Sequence, residues 1–270
     1  MITTTAESTA VRRQPTRRSL TSIILTETRF EFLKLWRLPT YSLATLAFPL
    51  MFFVMFGSFY GQFEAQGLSV AKYMVATFSA AGLLSAGMFA FGVGVASERG
   101  QGWMRLKRVS PMPPIAYFAA KMGMALVFGM MVIISITLAG MLIQGVRFGL
   151  LEWFAMVGVL LLGVFPFSAL GLAFGYLFGP NSAPIVLNLI YMPMAFASGL
   201  WMPVTILPAV VQKAATFLPT YDYAQLSLST IGASPLGESA THVLVLATYT
   251  VVFLALAVFA YRRDEGKTYG

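Results

Sequence analysis

Glu98-Arg99-Gly100-Gln101-Gly102-Trp103-Met104-Arg105-Leu106-Lys107-Arg108 is a charged amphipathic island between two apolar runs, each long enough to cross a bilayer. The chain around it has 270 residues, 58% hydrophobic and only 10% charged, against roughly 25% charge in a soluble domain. That composition belongs to a polytopic membrane protein. A formal net charge of +8 raises nucleic-acid binding as a function, but a readout surface needs far more water-facing protein, and basic residues beside apolar spans set topology instead. No nucleic-acid partner is expected. With no cysteine, disulfides, thiolate chemistry and cysteine metal sites are excluded.

Crossing a hydrocarbon core about 30 Å thick takes about 20 apolar residues in a helix. Six segments qualify, at approximately 41–60, 73–96, 115–143, 153–178, 184–203 and 242–261, and none contains Asp or Glu. The fold class expected is therefore an all-α membrane protein of six transmembrane helices. Lys121 lies near one end of the third span, where its stem is expected to snorkel. With the N-terminus in the cytoplasm, the opposite side holds only Lys72, Arg147 and Lys213 of the 18 basic residues. This asymmetry predicts a multi-pass protein of the cell inner membrane with both termini and the island on the cytoplasmic side.

Residues 1–20 read as a flexible cytoplasmic N-terminus, and 264–270 as a cytoplasmic tail. Arg17-Arg18-Ser19-Leu20 has the look of a twin-arginine signal, but Glu27, Arg29, Glu31 and Lys34 interrupt its would-be apolar core, so an uncleaved N-terminus is expected. Over 21–37 the pattern is that of a helix. Leu25, Phe32, Leu33, Leu35 and Trp36 fall on one half, expected to face lipid, and Glu27, Glu31, Lys34 and Arg37 on the other. Such a helix lies in the membrane interface, either as an anchor or as a contact for a cytoplasmic partner.

The island admits two readings. One is a solvated positive loop. The other is a short helix stopped by Ser110-Pro111 and Pro113-Pro114, with Trp103 and Leu106 among arginines as a protein-docking surface. The interfacial helix, six spans, the Glu-Arg-Gly opening of the island and its closing Ser-Pro together resemble the permease subunit of ABC-2 type transporters. Asn181-Ser182-Ala183-Pro184, Gly199-Leu200-Trp201-Met202-Pro203 and Phe217-Leu218-Pro219-Thr220-Tyr221 extend the resemblance, which covers about residues 20–263. The absence of a large external domain resembles the compact drug, lipid or glycan exporter branch.

The resemblance implies an ABC-2 type transmembrane domain over 21–263 that moves a partly apolar substrate, with ATP and magnesium held by separate ATP-binding cassette ATPase subunits and none by this chain. A second permease subunit, identical or sibling, is implied as well. The 98–110 segment becomes a coupling helix, with Glu98, Arg99, Gly100, Trp103, Arg105, Leu106 and Arg108 as the ATPase-coupling interface. The residues agree in lacking a phosphate loop. Tyr261-Arg262-Arg263-Asp264-Glu265-Gly266-Lys267-Thr268 comes nearest, with Tyr261 where the first glycine belongs and no strand before it.

Within the spans, Gly171, Gly175 and Gly179 form a small-residue stripe for helix packing, repeated by Gly82, Ser85, Gly92 and Ala96. Pro166 and Pro193 are expected to kink their helices. In span five Asn188, Tyr191, Ala195, Ser198 and Met202 share one face, with Trp201 nearby. That face is either a permease–permease interface or a cargo-facing wall. The segment 204–241 predicts a short external or re-entrant helix around 206–218, with Asp222 and Glu238 solvated; His242 is expected to cap or line the end of span six, with no second metal ligand at the right spacing. An independent channel or ion-coupled carrier is the alternative function, though a carrier normally places an acidic group inside a span. An intramembrane enzyme would need a nucleophile and base, or a metal cluster, at membrane depth, and the spans offer neither.

Overall fold

The computed structural model of the chain describes residues 19–65, 67–104, 112–233 and 236–265. The helices are α1 (Leu20–Trp36), α2 (Pro39–Tyr60), α3 (Val70–Gly100), α4 (Pro114–Ile143), α5 (Leu150–Leu177), α6 (Ala183–Ala197), α7 (Ala209–Ala215), α8 (Pro219–Ser229) and α9 (Ser239–Glu265). Prolines within the first two positions open α2, α4, α6 and α8, where a missing N–H costs nothing. The Ser69 hydroxyl caps α3 by accepting from the Lys72 N–H at 3.3 Å. A two-residue antiparallel ribbon, β1 (Glu64–Ala65) with β2 (Leu68–Ser69), joins α2 to α3 and had no expectation in the sequence.

α3 is the axis of the bundle. Its apolar stretch is 78% buried, against 17% for α9 at the rim, and α2, α4, α5, α6 and α8 all pack on it. The closest approach is to α5: a Cβ on Gly171 would lie 2.2 Å from the Met88 carbonyl oxygen, and one on Gly175 would lie 2.9 Å from that of Gly92. Gly179 sits beyond the end of α5, with only Ser182 Oγ at 3.8 Å. The expected stripe therefore reduces to two glycines. α5 and α6 run through Pro166 and Pro193 as single helices.

Among the described residues, five helices, α2, α3, α4, α5 and α9, are long and apolar enough to cross a membrane. The sixth expected span, 184–203, is helical over a shorter stretch than expected. α6 stops at Ala197 after 15 residues, about 22 Å of rise against a core about 30 Å thick. The chain turns there because Gly199 takes φ +91°, which favours glycine, and its carbonyl accepts from the buried Tyr73 hydroxyl at 2.8 Å. Leu200 and Trp201 follow as buried coil, as irregular backbone at membrane depth must be.

The 204–241 segment is more deeply embedded than its polarity predicts. After a 3-10 turn (Val204–Ile206), α7 falls within the stretch around 206–218 where an external or re-entrant helix is expected, but α8 follows, buried on nearly every side. Its Tyr223 hydroxyl donates to the Leu160 carbonyl at 2.7 Å, and Gly163 makes room for the ring, since a Cβ there would lie 1.9 Å from it.

Candidate functional site

Four charged side chains close a ring at the Glu98 end of α3. Lys34 Nζ lies 2.6 Å from Glu31 and 2.8 Å from Glu98; Lys121 Nζ lies 2.8 Å from the same Glu98 oxygen and 3.2 Å from Glu31. The second Glu98 oxygen accepts from the Tyr117 hydroxyl at 2.6 Å. Charges balance within the ring, and α1, α3 and α4 each contribute. For Lys34, burial disfavours the ammonium, but the Glu98 and Glu31 carboxylates together outweigh it and hold its pKa above the usual 10.5.

The next residue ties the other half of the bundle. Arg99 Nε donates to Asp264 at 3.0 Å in a two-pronged pair, and Nη1 donates to the Gly175 carbonyl at 2.7 Å and to that of Phe178 at 3.3 Å. A cation here also suits the carboxyl end of α5, where the helix leaves its carbonyls unpaired. A Cβ on Gly100 would lie 2.7 Å from Pro180, in the turn before α6. Three consecutive residues thus join α3 to α1, α4, α5, α9 and the α5–α6 turn.

Above the ring opens a groove of about 660 Å³ between α1, α2, α3 and α6. Glu31, Lys34, Glu98 and Lys121 form its charged end, and Tyr41, Phe48, Phe89 and Tyr191 give it aromatic walls. Asn188 also lines it, its amide donating to the Pro184 carbonyl at 2.9 Å. The arrangement suits a molecule with a polar end and an apolar body.

Residues 23–232 match the ABC-2 type transporter family, well over half of the chain. The chain belongs to that family. YvfS of Bacillus subtilis (strain 168), named as a transport permease, is 28% identical over 184 residues, covering 68% of this chain and 74% of that one. The protein is thus a transporter permease, a transport subunit with several helices long and apolar enough to span a membrane, and its family associates with ABC ATPase subunits. The matched region of the permease includes all four members of the ring.

The permease uses its expected site residues unevenly. Glu98 and Arg99, expected to pair with an ATPase, are nine-tenths buried or nearly so and are engaged inside the chain. Trp103, just past the left-handed Gly102 at φ +77°, is 53% exposed. Arg105, Leu106 and Arg108 lie outside the described residues, as does all of the expected 98–110 helix after Met104. Of the span-five face, Asn188 and Tyr191 meet in the groove, whereas Ser198 and Met202 fall after the end of α6. Trp201 is buried in an aromatic cluster, 5.1 Å from Phe52 and 5.4 Å from Phe196.

Three expectations in the permease are overturned. Lys121 does not snorkel: it is 1% exposed and belongs to the ring. Glu31, assigned to the polar half of the interfacial helix, is buried against the protein, while Phe32 packs on Phe128 at 5.2 Å. Asp222 is not solvated. It is buried with its Oδ1 2.7 Å from His242 Nδ1, a pair linking α8 to α9; burial pushes its carboxyl pKa up against the opposing pull of His242.

Sequence reasoning missed Glu31, Lys34, Tyr117, Lys121 and Asp264 as partners of the island's root. The signal available was Lys121 itself, a lone cation inside an apolar run, which calls for a carboxylate partner.

Proposed function

We propose that this permease is the membrane half of an ATP-driven exporter, moving a partly apolar drug, lipid or lipid-linked glycan out of the cytoplasm. ATP and magnesium act on the partner cassette ATPase, which grips the segment from Gln101 to Ser110 on the cytoplasmic side of the inner membrane, just beyond the inward-facing Glu98 and Arg99. Both termini lie on that side by the distribution of basic residues. The groove beside Asn188 and Tyr191 is the cargo wall, and a second permease, identical or sibling, faces it.

The observation that supports this reading most is the junction at Glu98, Arg99 and Gly100. A displacement of the exposed Trp103 reaches α3 within one turn. The ring then carries it to α1 and α4, and the Arg99 contacts carry it to α5 and α9. Charged networks with fixed partners transmit such motion as a body. A carrier reading gains something from Glu98, since α3 extends through it, but both lysines already neutralise the ring's carboxylates.

The test is purification and vesicle transport. Isolated from its membrane, the permease is expected to bring down a cassette ATPase in near-equal amount, and inverted vesicles should accumulate an amphipathic dye only with ATP. Replacing Trp103 and Leu106 with Asp should abolish accumulation while the permease stays folded. Flux without ATP from the permease alone would instead favour the channel or carrier.

A further inference from the structure

A second cleft, about 620 Å³, opens on the other flank of the bundle, with α4 and α9 as walls and α5 as floor. α9 packs on α5 and α8, and α4 chiefly on α1, α2 and α3, so the two walls stand apart. Leu254 and Val258, on the lip, are 47% and 50% exposed, which leaves the cleft open sideways, toward the bilayer. A molecule already in the leaflet reaches it without leaving hydrocarbon.

Its shape and chemistry are graded along one axis. Along α9 it runs from Thr250 to Asp264, about 21 Å at 1.5 Å per residue, enough to take the full depth of one leaflet, about 15 Å. Apart from the Ser168 and Thr250 hydroxyls, the interior is hydrocarbon and thioether, with Met112 and Met122 able to adapt to a flexible chain. At the Glu98 end the rim turns polar, with Tyr117, Tyr176 and Tyr261, the side chains that favour headgroup depth.

Charge decides which lipid. Asp264 at the rim is neutralised by Arg99. Arg262 follows Leu254 and Val258 at four-residue steps, so it continues the lip of the cleft by one turn, and both it and Arg263 are exposed. An apolar slot one leaflet deep, ending beside exposed guanidinium groups, matches one class of molecule. We infer that this cleft holds one acyl chain of an anionic phospholipid from the leaflet at the Glu98 end, with the lipid phosphate against Arg262. The site is separate from the groove at the ion ring and stands whether or not that groove carries cargo.

The experiment uses the full chain in nanodiscs of phosphatidylcholine containing a few per cent phosphatidylglycerol with a photoreactive group in one acyl chain. Crosslinking and peptide mapping should place adducts on α5 and α9 within the cleft. Unlabelled phosphatidylglycerol should compete about fivefold better than phosphatidylcholine, the preference one arginine near the headgroups confers. Arg262→Gln should bring that preference to near unity while the adducts remain, and Ala257→Phe, which fills the cleft, should remove them. Adducts spread evenly over the outer faces of α2 and α9, or equal competition by the two lipids, would overturn the inference. Because the unaltered protein gives both readouts, the result holds even where Ala257→Phe fails to fold.

Discussion

Lys121 shows what a single side chain does here. Fully enclosed among apolar helices, its ammonium is tolerable only because Glu98 and Glu31 flank it, and they in turn depend on it. Lys121→Met should therefore lower stability by about 3–5 kcal/mol, the cost of leaving a buried partner unpaired, read as a fall in the thermal unfolding midpoint in detergent. Combining it with Glu98→Gln should recover part of that loss. Lys34 gives the pH dependence of the ring. Its folded pKa is raised, so its stabilisation is complete below the unfolded value of 10.5 and is lost as pH rises through the higher folded value. The difference in midpoint between the native chain and Lys34→Met should stay constant from about pH 7 to about pH 10 and shrink above that. A difference that shrank on the acid side would contradict the assignment.

At the scale of elements, helix contacts rest on missing side chains. Gly171→Ala would drive a methyl group into the α3 backbone and should cost about 1–3 kcal/mol, whereas Gly179→Ala, with no close neighbour, should be neutral in the same unfolding assay. α8 depends on polar pairing: Asp222→Asn keeps a partner for His242 and should be tolerated, while Asp222→Leu orphans the ring nitrogen and should cost about 1–3 kcal/mol. These elements also mark how far the sequence can be read. Spans α2, α3, α4, α5 and α9 were legible because long apolar runs have one solution in lipid. α6 was read as too long because Leu200 and Trp201 continue its hydropathy, though Gly199 turns the backbone. α8 was unreadable because Thr220, Asp222, Gln225 and Ser227 look like a solvated loop, and only tertiary partners reveal them as buried.

For the whole molecule, the candidate site was half legible. The island was evident as a charged interruption, and Asn188 and Tyr191 as a polar face. That Glu98 and Arg99 look inward could not be seen, because Glu31, Tyr117 and Asp264 are far from them in sequence and only the packing of five helices brings them together. In the proposed function this junction lies on the cytoplasmic side and receives the motion of an ATPase. The chain has no cysteine, so Trp103→Cys places a single reporter at an exposed position beside the junction. A membrane-impermeant maleimide should label this cysteine in inverted vesicles and not in intact cells, and bound cassette ATPase should block the labelling. Labelling from outside the cell, or labelling indifferent to the ATPase, would contradict it.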